Sequence, residues 1–127
     1  LMSYVDATVP DLIGDDGSPL RLLFVGINPG LWTAATQTHF AHPGNRFYPA
    51  LSRAGIIDRE IDRGLGMSDA DRRHLLDRGI GITNVARRAT AKASELTEEE
   101  LVDGGEALRS FVRRHRPRVV AVAGVTA

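Results

Sequence analysis

Cysteine is absent from the sequence. Disulfides and thiolate metal sites are therefore excluded, and a reducing compartment is permitted. An excess of either charge is lacking too, since 16 Lys and Arg balance 16 Asp and Glu. That argues against a bulk polyanion binder but not against a local basic face, because affinity for phosphates depends on where the cations sit. No apolar run approaches the roughly 18 residues that span a bilayer. The first residues lack the basic segment followed by an apolar one that marks a secretory leader. Phosphate-cradling glycine loops are missing, as neither G-x-x-x-x-G-K-[ST] nor G-x-G-x-x-G occurs. There is no internal repeat and no low-complexity segment.

What remains is an ordinary globular composition, 43% apolar and 25% charged over 127 residues. That length suits one domain with one core. The chain opens on Leu1 instead of Met, so residues are expected to precede it.

Residues 20–25 are almost continuously apolar and predict a strand covered on both faces. The strand breaks at Gly26-Ile27-Asn28-Pro29-Gly30, and residues 26–46 read as loop. A short helix follows over 46–55, with Phe47, Leu51 and Ala54 on one face, Pro49 in the first turn and Gly55 as the stop. Residues 56–67 read as loop or irregular helix. Ser68 predicts an N-cap for a helix ending at Arg78-Gly79. Residues 80–85 read as a short strand and 86–96 as a basic loop.

Thr97 and Glu100 form a capping box for a helix running to about His115. Its inner face is expected to carry Leu101, Leu108 and Val112. Gly104-Gly105 inside it suggest close packing, because each costs about 1 kcal/mol relative to Ala. Residues 118–124 read as a second buried strand. Alternation of strands and helices predicts an α/β fold with a mostly parallel sheet covered by helices. A covering helix is expected after residue 124, so the domain reads as incomplete at its C-terminus.

An open α/β sheet places ligands at the carboxyl ends of its strands, which is where the 26–30 loop emerges. Pro29 fixes its own φ and pushes Asn28 towards extended geometry. The Asn28 side chain offers one acceptor and two donors and takes up no proton near neutral pH. Chemistry there would rest on positioning and electrostatics. Two glycines allow a ligand close to the backbone. The pentapeptide alone is read more simply as a strand-ending turn.

The continuation alters that balance. Gly26-Ile27-Asn28-Pro29-Gly30-Leu31 is followed by Phe40-Ala41-His42-Pro43-Gly44-Asn45-Arg46-Phe47, then by Gly81-Ile82-Thr83-Asn84-Val85 and a basic loop ending Ser94-Glu95-Leu96-Thr97. Together these resemble the mismatch-specific uracil-DNA glycosylases, the bacterial Mug and eukaryotic thymine-DNA glycosylase family, over residues 20–124. The resemblance implies a three-layer α/β sandwich, here one partial domain over 1–127. It implies hydrolysis of the N-glycosidic bond of uracil, or of thymine or a bulkier damaged pyrimidine, mispaired with guanine in double-stranded DNA.

By that resemblance Asn28 positions the attacking water and Phe40 stacks on the flipped base. Backbone groups around Gly26, Ile27 and Phe40 read the base edge. Gly30 leaves room at C5, Thr33 tunes tolerance of a methyl group, and Asn84 occupies a variable pocket position. Arg87, Arg88 and Lys92 are the candidates for phosphate contacts. The scheme needs no cofactor and no metal, and implies a monomer in a bacterial cytoplasm. His39 and His42 lack a third ligand, which argues against a metal pair. His42 is expected to hydrogen-bond within its loop, and Arg46 to hold that loop.

One departure stands out. The family has a second loop, beginning Asn-Pro-Ser, that inserts into the duplex, and the sole Asn-Pro here is Asn28-Pro29. Two other readings therefore stay open: a non-catalytic DNA-binding remnant of the fold, and an unrelated α/β nucleotide-binding domain.

Overall fold

The computed structural model describes residues 1–15, 18–61 and 66–123. Parts of two expected features, the turn at 15–19 and the irregular segment 56–67, lie outside these residues, as do residues 124–127. Three strands, β1 (Leu22–Gly26), β2 (Ile80–Asn84) and β3 (Val119–Val122), form a parallel sheet in the order β2-β1-β3. An antiparallel bridge from Leu12 to Ile82 extends the sheet beyond β2. The helices are α1 (Leu31–Thr36), α2 (Phe47–Arg53), α3 (Asp69–Asp77) and α4 (Glu98–His115). Among the described residues no helix is long and apolar enough to cross a membrane.

The pleat of β1 divides the core. Phe24 points to a layer built from Tyr48, Leu51, Leu75, Ile80 and Ile82, with Leu12 from the N-terminal arm. Leu23 and Val25 point the opposite way, onto Phe111, Leu108 and Val112 of α4. Each fully buried Leu or Ile contributes roughly 1.5–3 kcal/mol, so both layers hold the central strand firmly. The chain leaves β1 towards the first layer and leaves β2 towards the second. A crevice between two such exits, at the carboxyl ends of adjacent strands, is where open sheets bind ligands.

Helix caps follow the sequence closely. Ser68 Oγ accepts from the Asp71 amide, and Thr97 and Glu100 bond reciprocally at the start of α4. Pro49 sits in the first turn of α2, and Gly55 has φ +76° just past its end.

Four expectations need correction. Helix α1 occupies part of the expected loop, although its six residues follow Gly30, which offers no side-chain cap to announce them. Leu101 is exposed, and Phe111, farther along the helix, is the α4 residue that is buried in the layer. Residues 119–122 do form a strand, but Val119, Val120 and Val122 are 55%, 41% and 57% exposed. Among the described residues β3 is an edge strand, paired only to β1. The glycine pair of α4 is half explained: a Cβ on Gly104 would lie 2.1 Å from the Val85 carbonyl oxygen, whereas one on Gly105 would meet open space.

Candidate active site

Two strand exits meet in the crevice. The carbonyls of Gly26, Ile27 and Pro29 accept from the amides of Val85, Ala86 and Thr90 at 2.9, 2.8 and 3.2 Å. These bonds join the loop after β1 to the loop after β2, and the contact at Gly104 seats the second loop on α4.

Asn28 lies between the two loops. Its Nδ2 donates to the Arg88 carbonyl at 2.9 Å, the Thr90 hydroxyl at 2.8 Å and the Pro29 carbonyl at 3.2 Å. Carbonyls only accept, and the Thr90 hydroxyl gives its own proton to the Lys92 carbonyl at 2.7 Å. The nitrogen end of the carboxamide is thus assigned by its neighbours. Oδ1 is left over, and among the described residues it accepts no hydrogen bond. An oxygen held this way can orient a water but cannot deprotonate it.

The second feature is a floor of Gly26, Phe40 and Asn84. Asn84 sits opposite Gly26 in the β1–β2 register. A Cβ on Gly26 would fall 2.5 Å from Asn84 Oδ1 and 3.5 Å from the edge of the Phe40 ring. Glycine is therefore required for that carboxamide to lie over the strand end. Phe40 has φ +57°, an uncommon conformation for a residue with a side chain. Its neighbours hold it there. Tyr48 donates to the His39 carbonyl at 2.6 Å, and the Ala41 amide reaches Thr33 Oγ1 at 3.5 Å. One face of the Phe40 ring stacks on Phe47, with centroids 4.0 Å apart. Strain of this kind clusters at binding and catalytic sites.

Gly30 has an ordinary φ of −80°, and nothing lies within 4 Å of its missing Cβ. Neither backbone nor packing demands glycine there, and the space beside it is open. Thr33 is buried, with its hydroxyl turned to Ala41. The two loop histidines have separate tasks. His39 is buried between the Pro10 carbonyl and Asn84, at 2.8 and 3.4 Å, and burial lowers its pKa. His42 Nδ1 accepts from the Gly44 amide at 3.0 Å, the bond expected within its loop.

The basic candidates separate. Arg88 is not available to a phosphate. Its guanidinium binds both oxygens of Glu100, at 2.9 and 2.7 Å, together with Asp6 and the Glu95 carbonyl. These bonds raise its pKa, and Arg88 in turn holds the Glu100 carboxyl down at about 2. Arg88 anchors the loop whose backbone restrains Asn28. Arg87 is exposed and bonded once, to Asp11 at 3.2 Å, while Lys92 is exposed with no ion pair among the described residues. Among the described residues the exposed Arg46 side chain makes no hydrogen bond or ion pair, and Asn45 braces the loop by accepting from the Phe47 amide at 2.9 Å.

A hollow of about 640 Å³ lies at the opposite end of the strands, lined by Leu20, Arg21, Gly79 and Arg118 among others. The crevice is distinguished instead by converging polar groups. The model of the uracil DNA glycosylase superfamily matches residues 14–127, which covers both strand exits and α4.

The chain belongs to the uracil DNA glycosylase superfamily.

Membership makes it a glycosylase-type hydrolase acting on uracil, with DNA as its partner. The three-stranded parallel sheet and its flanking helices agree with the α/β fold of that superfamily. Within this uracil DNA glycosylase fold, Thr90 and Glu100 shape the site without a sequence signal for that role, and Arg88, expected at a phosphate, instead pairs with Glu100. Thr90 carried no signal beyond its place in a loop after a pocket segment. Glu100 was visible only as a helix cap.

Proposed function

We propose that the chain hydrolyses the N-glycosidic bond of uracil paired with guanine in double-stranded DNA, with Asn28 as the residue that positions water. The observation that carries this reading is the Asn28 carboxamide, whose nitrogen is engaged by three acceptors and whose oxygen accepts no hydrogen bond among the described residues. Oδ1 accepts one water hydrogen and turns a lone pair towards C1′ of the sugar. The C1′–N1 bond breaks, its electron pair leaves with the base as an anion, and the water oxygen bonds to C1′. The water's proton passes to solvent, because a carboxamide cannot keep it. With no strong base, such a site works by orientation and by stabilising charge on the leaving base.

The flipped base lies on the face of Phe40 turned away from Phe47, with the ring's conformation maintained by the neighbouring residues. Asn84 meets the base edge over Gly26, and Ile27 contributes backbone. The open space at Gly30 supports tolerance of a substituent at C5, and the buried Thr33 borders it. Arg87 and Lys92 contact phosphates, while Arg88 acts from within.

The test is release of the free base, uracil or thymine, from labelled duplexes containing G·U, A·U or G·T. Release is expected from G·U, and Asn28→Ala should lower its rate by at least about 100-fold, on the order of losing one fixed transition-state contact. No release from any duplex, or an unchanged rate after Asn28→Ala, would overturn the proposal.

A further inference from the structure

His39 takes part in none of the chemistry above, yet it is a buried titratable group bonded directly to the floor of the site. Its Nε2 lies 2.8 Å from the Pro10 carbonyl. A carbonyl oxygen can only accept, so Nε2 carries the ring proton. A neutral imidazole has one such proton, which leaves Nδ1 as an acceptor. Asn84 Nδ2 lies 3.4 Å from Nδ1 and is therefore the donor. The nitrogen of Asn84 faces His39, and its oxygen faces the space over Gly26, beside the Phe40 ring edge.

We propose that His39 is a positioning residue that locks the Asn84 carboxamide in one orientation, and so makes the floor of the site selective for uracil over cytosine. This rests on the reading that a pyrimidine occupies that floor. A carboxamide free to rotate is ambidextrous, presenting either its oxygen or its nitrogen to a base. Held by His39, it presents Oδ1 to the N3–H of uracil and keeps one N–H for O4. Cytosine carries a lone pair at N3 and an amino group at C4, the reverse pattern. To read cytosine, Asn84 must turn over. Its oxygen would then face the His39 Nδ1 lone pair, two acceptors in contact inside a poorly hydrated site.

The lock requires neutral imidazole. Burial holds His39 in that form, and Arg72 acts in the same direction. Asp11 and the Pro10 carbonyl oppose them. Protonation would place a hydrogen on Nδ1 and invite Asn84 to turn its oxygen towards the ring.

Two measurements on the full chain test this. Long-range ¹H–¹⁵N NMR of the imidazole should find the Nε2–H tautomer at pH 7. An Nδ1–H tautomer or an imidazolium at that pH overturns the lock. The second compares uracil with cytosine release in single turnovers. His39→Gln can keep the bond to Pro10 but not the acceptor at Nδ1, and should lower the uracil-to-cytosine ratio at least about tenfold. His39→Asn places a carboxamide oxygen where Nδ1 stood, and should keep the ratio within about threefold of the parent. Equal ratios in both variants, whether retained or lost, overturn the lock. If the parent releases no uracil, the proposed function falls, and the tautomer still decides the lock by itself.

Discussion

The loop after β1 and the loop after β2 hold the crevice from its two sides, and they are stiffened by different means. The first is stiff covalently. Pro29 fixes one φ and restricts Asn28, and the carbonyls of residues 26, 27 and 29 are bonded across the crevice. The second has no proline between residues 84 and 96. Its shape depends on side chains: Thr90 on the Lys92 carbonyl, and Arg88 on Glu100, Asp6 and Glu95. The residue proposed to carry the chemistry thus sits on one loop, and its orientation is set by the other.

That contrast can be broken first at its support. Gly104→Ala forces a methyl group onto the Val85 carbonyl and should cost about 1–3 kcal/mol of stability, the usual range for overpacking. Chemical denaturation measures it. Gly105→Ala meets open space and should be neutral or stabilise by up to about 1 kcal/mol. Equal effects at the two positions would mean that α4 does not press on the second loop.

Thr90→Val probes a smaller effect. It keeps the shape of the side chain and removes one acceptor from Asn28 Nδ2. Uracil release should slow about fivefold through kcat, in keeping with one hydrogen bond of about 1 kcal/mol, with binding of DNA unchanged. A rate loss appearing only in KM would place Thr90 on the DNA instead of behind Asn28.

The smallest expected effect is a pH dependence. Glu100 has its carboxyl lowered from 4.5 to about 2, chiefly by the Arg88 hydrogen bonds. A depressed acid stabilises the fold above its unfolded pKa and loses that contribution as pH falls through the folded value. The stability attributable to Glu100 should therefore decline between about pH 4.5 and about pH 2. Thermal melts of the parent and of Glu100→Gln should converge across that window. The pair is partly exposed, so salt should weaken the difference.

The same contrast explains what could be read beforehand. Strand β1, the caps at Ser68 and Thr97, and the stop at Gly55 each follow from local chemistry of a few neighbouring residues. So does the stiffness of the first loop. Helix α1 has no such local signature, because it is short and begins without a side-chain cap. Phe111 lies three residues beyond Leu108 and fits the same periodicity, but periodicity does not say where along the helix burial stops, and Leu101 is exposed. The β-branched run at 119–122 signals a strand without saying what covers it. The ties from Thr90 to Asn28 and from Arg88 to Asp6 bring together residues far apart in sequence, and no local pattern announces them.

Distance along the chain has a last consequence, for the order in which the domain assembles. Asn28 and Thr90 are 62 positions apart. Closing a loop of that length costs on the order of 3–4 kcal/mol of chain entropy, more than the roughly 1 kcal/mol that one such hydrogen bond returns. The pairing of β1 with β2 and the docking of α4 must already have brought the ends together. Alignment of the Asn28 carboxamide is thus a late event in folding, and a property of the whole domain more than of the loop that carries it.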